Sequence, residues 1–463
     1  MRALRPVLGL LLLASLALLA AASIGNSGRR SRPPGAPNVV LVSIDTLRAD
    51  RLSVYGYRRP TSPFLERLAR EGILFERFYY NGGGTLPSHL TMMTSLHPAT
   101  HGIGPRTPRR LEAERITMAE AFRQAGYATA AFVGGGWLSA RFGFDQGFDL
   151  FDESGHGFAE NLPKALDWLA LHRERSFFLF LHTYDVHSAW NRLPYDCPGD
   201  SELRFVDTAP EGFTGCRGEE CASRFLSGVN ERLKSGESSL AAELSAREVG
   251  FVSDLYDGCV RYADEQIERL YGELAALGLL DRTLLVVTSD HGEEFGEHGF
   301  FLHDQGGYEE LARIPLLMRL PQGRAGGRRV EGLATMADLL PTLLELAGLP
   351  ALAQAQGRSL VPAIPRLATR RADLHMYSVL RTDRYKYFSD ERLLFDLAAD
   401  PVERENLWAS DSDLVRRFER EVRGLIRVDS EASRRFRLRA APGDAPELSP
   451  EMERKLRSLG YLR

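Results

Sequence analysis

The chain has 463 residues, of which 44% are hydrophobic and 26% are charged, and its formal net charge is −4 at pH 7. This composition is that of a globular protein, and the length suits one large α/β domain with a smaller one. The small negative charge gives no reason to expect a nucleic acid or an anionic membrane surface as a partner, and we predict no nucleic-acid binding.

The N-terminus has the features of an export signal. Arg2 and Arg5 precede an apolar run that ends at Ala22. The alanines at its end form a small-residue cleavage site, so residues 1–22 predict a secretory signal peptide, with an uncleaved membrane anchor as the alternative. Residues 23–37 predict a flexible linker. The predicted location is therefore periplasmic or secreted, with a membrane tether if the segment is retained.

The segment from Asn81 to Pro98 reads NGGGTLPSHLTMMTSLHP and places three glycines before Thr85, at the start of a predicted helix. Glycines let the backbone approach a ligand, and a helix start offers unpaired N–H groups and partial positive charge to an anion. The segment therefore predicts an anion site beside the Thr85 hydroxyl. An ordinary loop with Thr85 as N-cap is the alternative.

Strands and helices alternate along the chain. Apolar runs predict strands and 3.6-residue patterns predict helices, in this order: strand Val39–Ile44, helix Pro63–Gly72, strand Ala128–Val133, helix Asn161–Glu174, strand Ser176–His187, helix Asp254–Gly278, strand Thr283–Glu294, strand Ile314–Pro321 and a helix from Met336 to Gly348. The last hundred residues differ, since residues 385–408 predict two short strands around a turn and residues 449–460 a helix. The pattern predicts an α/β fold, a large mostly parallel sheet between helices over residues 38–365, with a smaller C-terminal sheet-plus-helix subdomain over 366–463.

The cysteines suit an exported protein. Cys197, Cys216 and Cys221 lie in a polar insertion of about residues 191–245, and Cys259 follows in a helical pattern. We expect two of the first three to staple this surface excursion, although four cysteines allow three full pairings and the sequence selects none. The C-x4-C spacing also occurs in zinc sites, but no histidine stands nearby in zinc-finger spacing.

Several predicted strands end in residues capable of chemistry. These residues are Asp45 after the first strand, His182, Asp185 and His187 in the third, and Asp290 and His291 in the fourth. Because ligands bind beyond the carboxyl ends of parallel strands, we expect these side chains to converge with Thr85 on one active site.

The converging residues predict a metal-activated nucleophile. Asp45 and Asp290 supply the carboxylates that a hard divalent cation needs, with the His291 imidazole and the Thr85 hydroxyl as further ligands. Coordination lowers the pKa of a hydroxyl and makes it a nucleophile. We predict one divalent ion, with Ca, Mg, Mn and Zn as the alternatives.

The other histidines are expected to assist this centre. Three of them are predicted to bind the oxygens of the anion or to protonate the leaving group, namely His89, His187 and His303. His182 is expected to be structural, and Asp185 to hold His187 in place. The role of His298 stays open. The glutamates around it are expected to form a solvated patch or to support the site indirectly, and they are Glu293, Glu294 and Glu297.

Several motifs occur in a recognisable order: NVVLVSIDTLRADRLSVYGY, TLPSHLTMMTSLHPATHGI, SFFLFLHTYDVHSAW, VVTSDHGEEFGEHG and LFDLAADPVERENL. From about Asn38 to Leu407 the chain resembles the sulfatase family of the alkaline phosphatase superfamily. The resemblance implies an alkaline phosphatase-like α/β sandwich, with Asp45 as the first metal aspartate and Thr85 in the place of the nucleophile.

The chain departs from the sulfatase pattern at four positions. Sulfatases carry Cys or Ser matured to formylglycine where this chain has Thr85, which cannot mature in that way. The motif's arginine is His89, the second aspartate of the opening pair is Thr46, and the lysine before YEE is His303. Relatives with a threonine nucleophile are typically phosphodiesterases, phosphonate or phosphate-ester hydrolases, or head-group transferases.

Residues and resemblance together predict a hydrolase that cleaves a phospho- or sulfo-ester through Thr85, with the phosphoester favoured. The predicted substrate is a small-molecule, glycan-linked or lipid-linked anionic ester. The alternatives are a transferase that moves the group to another alcohol, and an inactive relative that binds anionic glycans.

Overall fold

The computed structural model describes residues 35–104, 107–188, 193–210, 222–303, 306–366, 373–376 and 379–437, and the single positions 450, 453 and 456. The predicted signal peptide, most of the linker, Cys216, Cys221 and nearly all of the predicted terminal helix lie outside these residues.

The described strands are β1 Asn38–Ile44, β2 Ile73–Tyr79, β3 Ala128–Phe132, β4 Leu150–Asp152, β5 Phe177–Thr183, β6 Thr283–Thr288, β7 Glu294–Phe295, β8 Phe301–Leu302, β9 Arg313–Arg319, β10 Arg328–Thr335, β11 Asp373–Met376, β12 Val379–Thr382, β13 Tyr385–Phe388 and β14 Leu393–Asp396. The described α-helices are α1 Pro63–Glu71, α2 Thr85–Thr94, α3 Pro98–His101, α4 Met118–Gln124, α5 Phe158–His172, α6 Ala222–Ser235, α7 Leu240–Glu243, α8 Ala246–Ala276, α9 Glu309–Ala312, α10 Leu339–Leu346 and α11 Ser412–Arg437.

The main sheet has eight strands in the order β10-β2-β9-β6-β1-β5-β3-β4. Strand β9 pairs antiparallel with both of its neighbours, and the other neighbouring pairs are parallel. Seven strands therefore run in one direction, with β1 between β6 and β5. The carboxyl ends of these three central strands meet at one edge, where the predicted chemistry lies.

Both faces of this sheet are covered by helices. On β1 the side chains of Val39 and Leu41 enter one apolar core, and those of Val40 and Val42 enter the other. Helices α2, α4 and α10 contribute to the first core, and α1, α5 and α8 to the second. A strand buried on both faces has no polar side, which is why these strands are continuous apolar runs. The predicted α/β fold is confirmed.

A second, antiparallel sheet has the order β11-β12-β13-β14. Leu380, Tyr387 and Leu394 of this sheet form a small core with Val415 and Phe418 of α11. The predicted hairpin is β13 and β14, whereas β11 and β12 were not predicted. The numerical domain boundaries stay a prediction. Among the described residues, no helix combines the length and the apolarity needed to cross a bilayer.

Helix α8 begins at Ala246, eight residues before the predicted start. The Ser245 side chain accepts a hydrogen bond from the Glu248 N–H, and the Glu248 carboxylate accepts one from the Ser245 N–H. This reciprocal cap satisfies two groups that otherwise lack partners at a helix start. The S-x-x-E signature was present in the sequence and marks the true start of the helix.

The polar insertion is anchored more firmly than a surface excursion would be. A disulfide joins Cys197 to Cys259 of α8, so Cys197 does not pair within the insertion, and Cys216 and Cys221 lie outside the described residues. Asn230 of α6 donates to the Phe301 carbonyl at 2.7 Å and accepts from the Phe301 N–H at 2.9 Å. The described part of the insertion therefore packs on the β7–β8 hairpin, which leads to His303.

Asp264 of α8 makes the stability of the fold depend on pH. Its carboxylate accepts hydrogen bonds from the Phe64 and Leu65 N–H groups at the start of α1, each at 2.9 Å. Burial outweighs these bonds and raises the pKa of Asp264 from 3.8 to about 6. The native state therefore binds this proton more tightly than the unfolded chain, and its stabilisation is lost as pH rises through about 6.

We expect Asp264→Asn to flatten the decline in the free energy of unfolding between about pH 4 and pH 7, by about 1–3 kcal/mol. Urea denaturation at a series of pH values measures this slope. A slope equal to that of the wild type would contradict the assignment.

Candidate active site

The structure brings the predicted strand-end residues together at the centre of the sheet. Asp45 follows β1, Asp290 follows β6 by two residues, and His182 lies near the end of β5. All three side chains are fully buried. Strand adjacency explains the convergence, because β6 and β5 pair with β1 on its two sides.

Each of two buried carboxylates in this cluster has one oxygen without a hydrogen-bond donor. Asp45 Oδ1 and Asp290 Oδ2 accept no hydrogen bond. Burial, followed by repulsion from Asp290, raises the pKa of Asp45 well above its usual value. Buried carboxylates of this kind are costly unless they are paired or coordinate a cation, so the donor set fits a divalent metal ion.

Thr85 is the first residue of α2 and is almost fully buried. Its Oγ1 lies 3.2 Å from Nε2 of His291. Gly82, Gly83 and Gly84 have φ of 96°, 96° and 76°, a left-handed region that favours glycine. These glycines turn the chain so that the positive end of α2 lies beside the carboxylates.

His291 has the tautomer required of a metal ligand. Its Nδ1 lies 2.9 Å from the Gly292 carbonyl oxygen, which can only accept, so Nδ1 carries the proton. The lone pair of Nε2 then faces the cluster, 3.4 Å from Asp290 Oδ2 and 3.9 Å from Asp45 Oδ1. Burial lowers the pKa of His291 to about 4, which keeps the ring neutral.

His89 lies equally close to the carboxylates, but its ring nitrogens are already engaged. Donor atoms of Asp45, His89 and Asp290 lie within 4.8 Å of one another. However, His89 Nδ1 donates to the Thr85 carbonyl at 2.9 Å, and Nε2 accepts from the Ser43 hydroxyl at 2.9 Å. His291 is therefore better suited than His89 to complete the ligand set. A catalytic role for His89 stays a prediction.

His182, expected to be structural, orients a predicted metal ligand. The Gly134 N–H donates to His182 Nδ1 at 3.2 Å, so the ring proton sits on Nε2 and points to Asp45 Oδ2 at 3.3 Å. This bond leaves Asp45 Oδ1 as the oxygen for a cation.

Asp185 does not hold His187, contrary to the prediction. Its carboxylate accepts from the Phe158 N–H at 2.7 Å and from the Thr183 hydroxyl. Asp185 therefore caps the start of α5, where an unpaired N–H group needs an acceptor. His187 is held instead by its own neighbour, because its Nδ1 donates to the Ser188 carbonyl.

His303 lies beside the cluster and is supported by a buried glutamate. Its ring centroid lies 4.9 Å from that of His187 and 4.7 Å from that of His291. Its Nδ1 lies 3.0 Å from Glu293 Oε1. Glu293 and Glu294 are completely buried, so the expectation of a solvated patch is wrong for both. Glu293 supports the site through His303, which was the other expectation.

Ser43 was missed at the sequence level, and Thr46 was noted there only as a departure from the sulfatase pattern. Ser43 stands two positions before Asp45, on the same face of β1, and a polar side chain in an apolar run was the available signal. Thr46 has φ of 57°, unusual for a β-branched residue, and its N–H donates to Asp290 Oδ1 at 3.3 Å. Backbone strain of this kind has no signature in the sequence.

Two substitutions of His303 test whether a hydrogen-bond donor at this position binds the anion. We expect His303→Ala to lower kcat/KM by about 10²-fold or more, because a donor to the anion is lost. His303→Lys supplies a cationic donor at this position and should stay within about tenfold of the wild type. His172→Ala, on α5 away from the centre, is the matched control. Equal losses in the alanine and lysine variants would contradict anion binding by residue 303.

Comparison with known proteins identifies the family of this chain. The profile described as Sulfatase matches residues 37–349, and that of the C-terminal region of N-sulphoglucosamine sulphohydrolase matches residues 296–426. The chain belongs to the sulfatase family. It is a sulfatase-like ester hydrolase, as the sequence predicted.

Relatives of this sulfatase span nearly its whole length. An N-acetylglucosamine-6-O-sulfatase of Bacteroides thetaiotaomicron is 25% identical, covering 86% of this chain and 87% of its own. A phosphonate monoester hydrolase of Agrobacterium radiobacter has a TM-score of 0.67 at 20% identity, covering 86% of this chain and 96% of its own. A protein solved with its substrate D-glucosamine-2-N,6-O-disulfate has a TM-score of 0.65 at 21% identity, covering 87% and 99%. The two structural likenesses establish the fold.

Proposed function

We propose that this sulfatase-family chain is an exported, metal-dependent hydrolase that cleaves an anionic ester, preferentially a phosphoester, with Thr85 as its nucleophile. The observation that carries the proposal is the position of Thr85 Oγ1, 3.2 Å from His291 Nε2 at the start of α2. A hydroxyl at this place borders the two carboxylate oxygens that lack partners.

The protein's own groups account for binding and orientation of the ester. The positive end of α2 attracts a tetrahedral anion to Thr85. His182 and His89 hold the carboxylate and the helix start in place through Asp45 and Thr85. Glu293 accepts a hydrogen bond from the Nδ1–H of His303. Nε2 is then the ring atom of His303 that would bind the anion or protonate the leaving group.

Asp45, Asp290, His291 and Thr85 are the residues that would hold the ion. A bound divalent cation supplies positive charge that lowers the pKa of a neighbouring hydroxyl and polarises the ester. The choice among Ca, Mg, Mn and Zn is open, since carboxylate and imidazole donors serve several of these ions.

A threonine nucleophile favours some esters over others, because the covalent intermediate must be released. A formylglycine hydrate releases sulfate by collapsing to an aldehyde, but a threonine sulfate would need attack by water at sulfur. A threonine phosphate is released by a second in-line attack at phosphorus. The Thr85 side chain therefore favours a phosphoester over a sulfate ester. Proteins of this fold are found with both kinds of ester, since the structural neighbours include a phosphonate monoester hydrolase and a protein bound to a sulfated sugar.

Export is supported by the disulfide between Cys197 and Cys259, because such bonds persist in oxidising compartments. A periplasmic or secreted location also suits a glycan-linked or lipid-linked ester. Fractionation of cells that express the full chain, with N-terminal sequencing of the product, tests export and cleavage near Ala22.

A substrate panel tests the activity. The protein, loaded with each divalent ion in turn, is assayed with p-nitrophenyl sulfate, p-nitrophenyl phosphate, bis-p-nitrophenyl phosphate and a phosphonate monoester. We expect the highest kcat/KM for a phosphorus ester. A preference for the aryl sulfate would overturn the substrate ranking, and no turnover of any ester with any ion would support a binding protein instead.

A further inference from the structure

A second group of metal-ligating side chains lies outside the site described above. Glu294 of β7, His298 of the following loop and Glu310 of α9 each offer a donor atom, and these atoms lie within 4.8 Å of one another. None of the three belongs to the predicted catalytic set.

Glu294 is the observation that points to a ligand. Its side chain is completely buried, and neither Oε1 nor Oε2 has a hydrogen-bond partner. A buried carboxyl group with two unsatisfied oxygens is costly in any protonation state, because even the neutral acid leaves a donor and an acceptor unpaired. A cation between Glu294 and Glu310 would remove this cost.

His298 is oriented as a ligand would be. Its Nε2 lies 3.2 Å from the Val402 carbonyl and 3.3 Å from the Glu403 carbonyl, so Nε2 donates to the backbone of the C-terminal segment. Its Nδ1 forms an ion pair with Glu310 Oε1 at 2.5 Å, and its ring stacks on Tyr308 with centroids 3.6 Å apart. Burial lowers the pKa of His298, but the hydrogen bond and charge of Glu310 raise it overall, so a bound cation would have to displace the Nδ1 proton. Metal-bound histidines characteristically donate their second N–H to a carbonyl or carboxylate in this manner.

Three neighbouring glutamates and one arginine act on the carboxyl group of Glu294. After burial itself, the neighbouring Glu310, Glu297 and Glu293 raise the pKa of Glu294 to about 10, and Arg48 opposes them only partly. Arg48 is engaged with Asp50 and Glu297. His298 and Glu310, but not Glu294, line a cavity of about 690 Å³.

We propose that Glu294, His298 and Glu310 form a second metal site, which binds a divalent transition ion such as Zn²⁺ or Mn²⁺. Two carboxylates and one imidazole are a donor set for these ions, whereas Ca²⁺ prefers an all-oxygen shell. The ion would fasten the β7–β8 hairpin, which leads to His303, to the C-terminal segment at Val402 and Glu403. Its role is structural and does not depend on the proposed chemistry at Thr85.

Zinc stoichiometry tests the proposal. The full chain is stripped with chelator, loaded with Zn²⁺, desalted and analysed by mass spectrometry for bound metal. We expect two ions per chain in the wild type, one in Glu294→Gln, one in Asp45→Asn and none in the double variant. Glu297→Gln, whose side chain pairs with Arg48 outside the cluster, is the matched control and should retain two.

Asp45→Asn provides a background in which the two sites are distinguishable. In this background Zn²⁺ should raise Tm, and X-ray absorption should show one imidazole with oxygen ligands. Adding Glu294→Gln, or His298→Asn if that variant does not fold, should abolish both signals. Full zinc binding after either second substitution would overturn the second site and leave the catalytic proposal untouched. A zinc-free Asp45→Asn protein would also overturn it.

Discussion

Thr85→Ala is expected to reduce turnover of the preferred ester by at least about 10³-fold, because loss of a nucleophile leaves only binding and electrostatic contributions. Thr85→Ser retains the hydroxyl and should keep measurable activity. Steady-state kinetics with the best substrate of the panel measures both. Rapid quenching and peptide mass spectrometry should also detect a phosphoryl or sulfo group on the wild-type peptide that contains Thr85.

Ser88→Ala is the matched control for this experiment. Ser88 lies on the same helix, is equally buried, and its hydroxyl has no hydrogen-bond partner. Its removal should change the free energy of unfolding by less than about 1 kcal/mol and leave turnover close to that of the wild type. Activity of Thr85→Ala within tenfold of the wild type would reject the nucleophile assignment.

Asp45→Asn is expected to affect stability in opposite directions with and without metal. In the metal-free protein it removes the repulsion between two buried carboxylates, so Tm should exceed that of the wild type. An asparagine oxygen can still accept the hydrogen bond from His182. With metal present, the variant should lose the stabilisation due to this centre, about 4 kcal/mol at a metal concentration 1,000-fold above Kd.

Differential scanning calorimetry with chelator and with each divalent ion measures this reversal, and turnover should fall below detection. Asp264→Asn is the control, since it changes a buried aspartate that caps α1 far along the chain from the centre. Its effect on Tm should be the same with and without metal. A metal-induced increase in Tm as large in Asp45→Asn as in the wild type would place the ion elsewhere.

The parts of the fold that the sequence predicted are those with strong local signals. The central strands β1, β5 and β6 are continuous apolar runs, since both of their faces are buried. Strands β7 and β8 have two residues each, too few for any periodicity to be detected. Their existence depends on partners that only the tertiary structure supplies.

The site residues likewise divide into those with a local sequence signal and those that depend on tertiary structure. Asp45 and Asp290 were predicted because parallel strands bring their carboxyl ends to one edge of a sheet. A solvated patch was among the expectations for Glu293 and Glu294 because charged residues are mostly exposed. Only the folded chain shows that Glu293 contacts His303 and that Glu294 lies near Glu310. The partner of Cys197 was similarly undetermined, since pairing depends on where α8 packs.

The paired hydrogen bonds between Asn230 and Phe301 limit which sequences can replace the insertion that carries Asn230. If the insertion of about residues 191–245 were replaced by that of another family member, the new segment would need a carboxamide side chain at the position of Asn230. Without it, the buried N–H and carbonyl groups of Phe301 would lose their hydrogen bonds to Asn230. Each unsatisfied group would lower the free energy of unfolding by about 1–3 kcal/mol. Exchange of this insertion is therefore tied to the geometry of the β7–β8 hairpin.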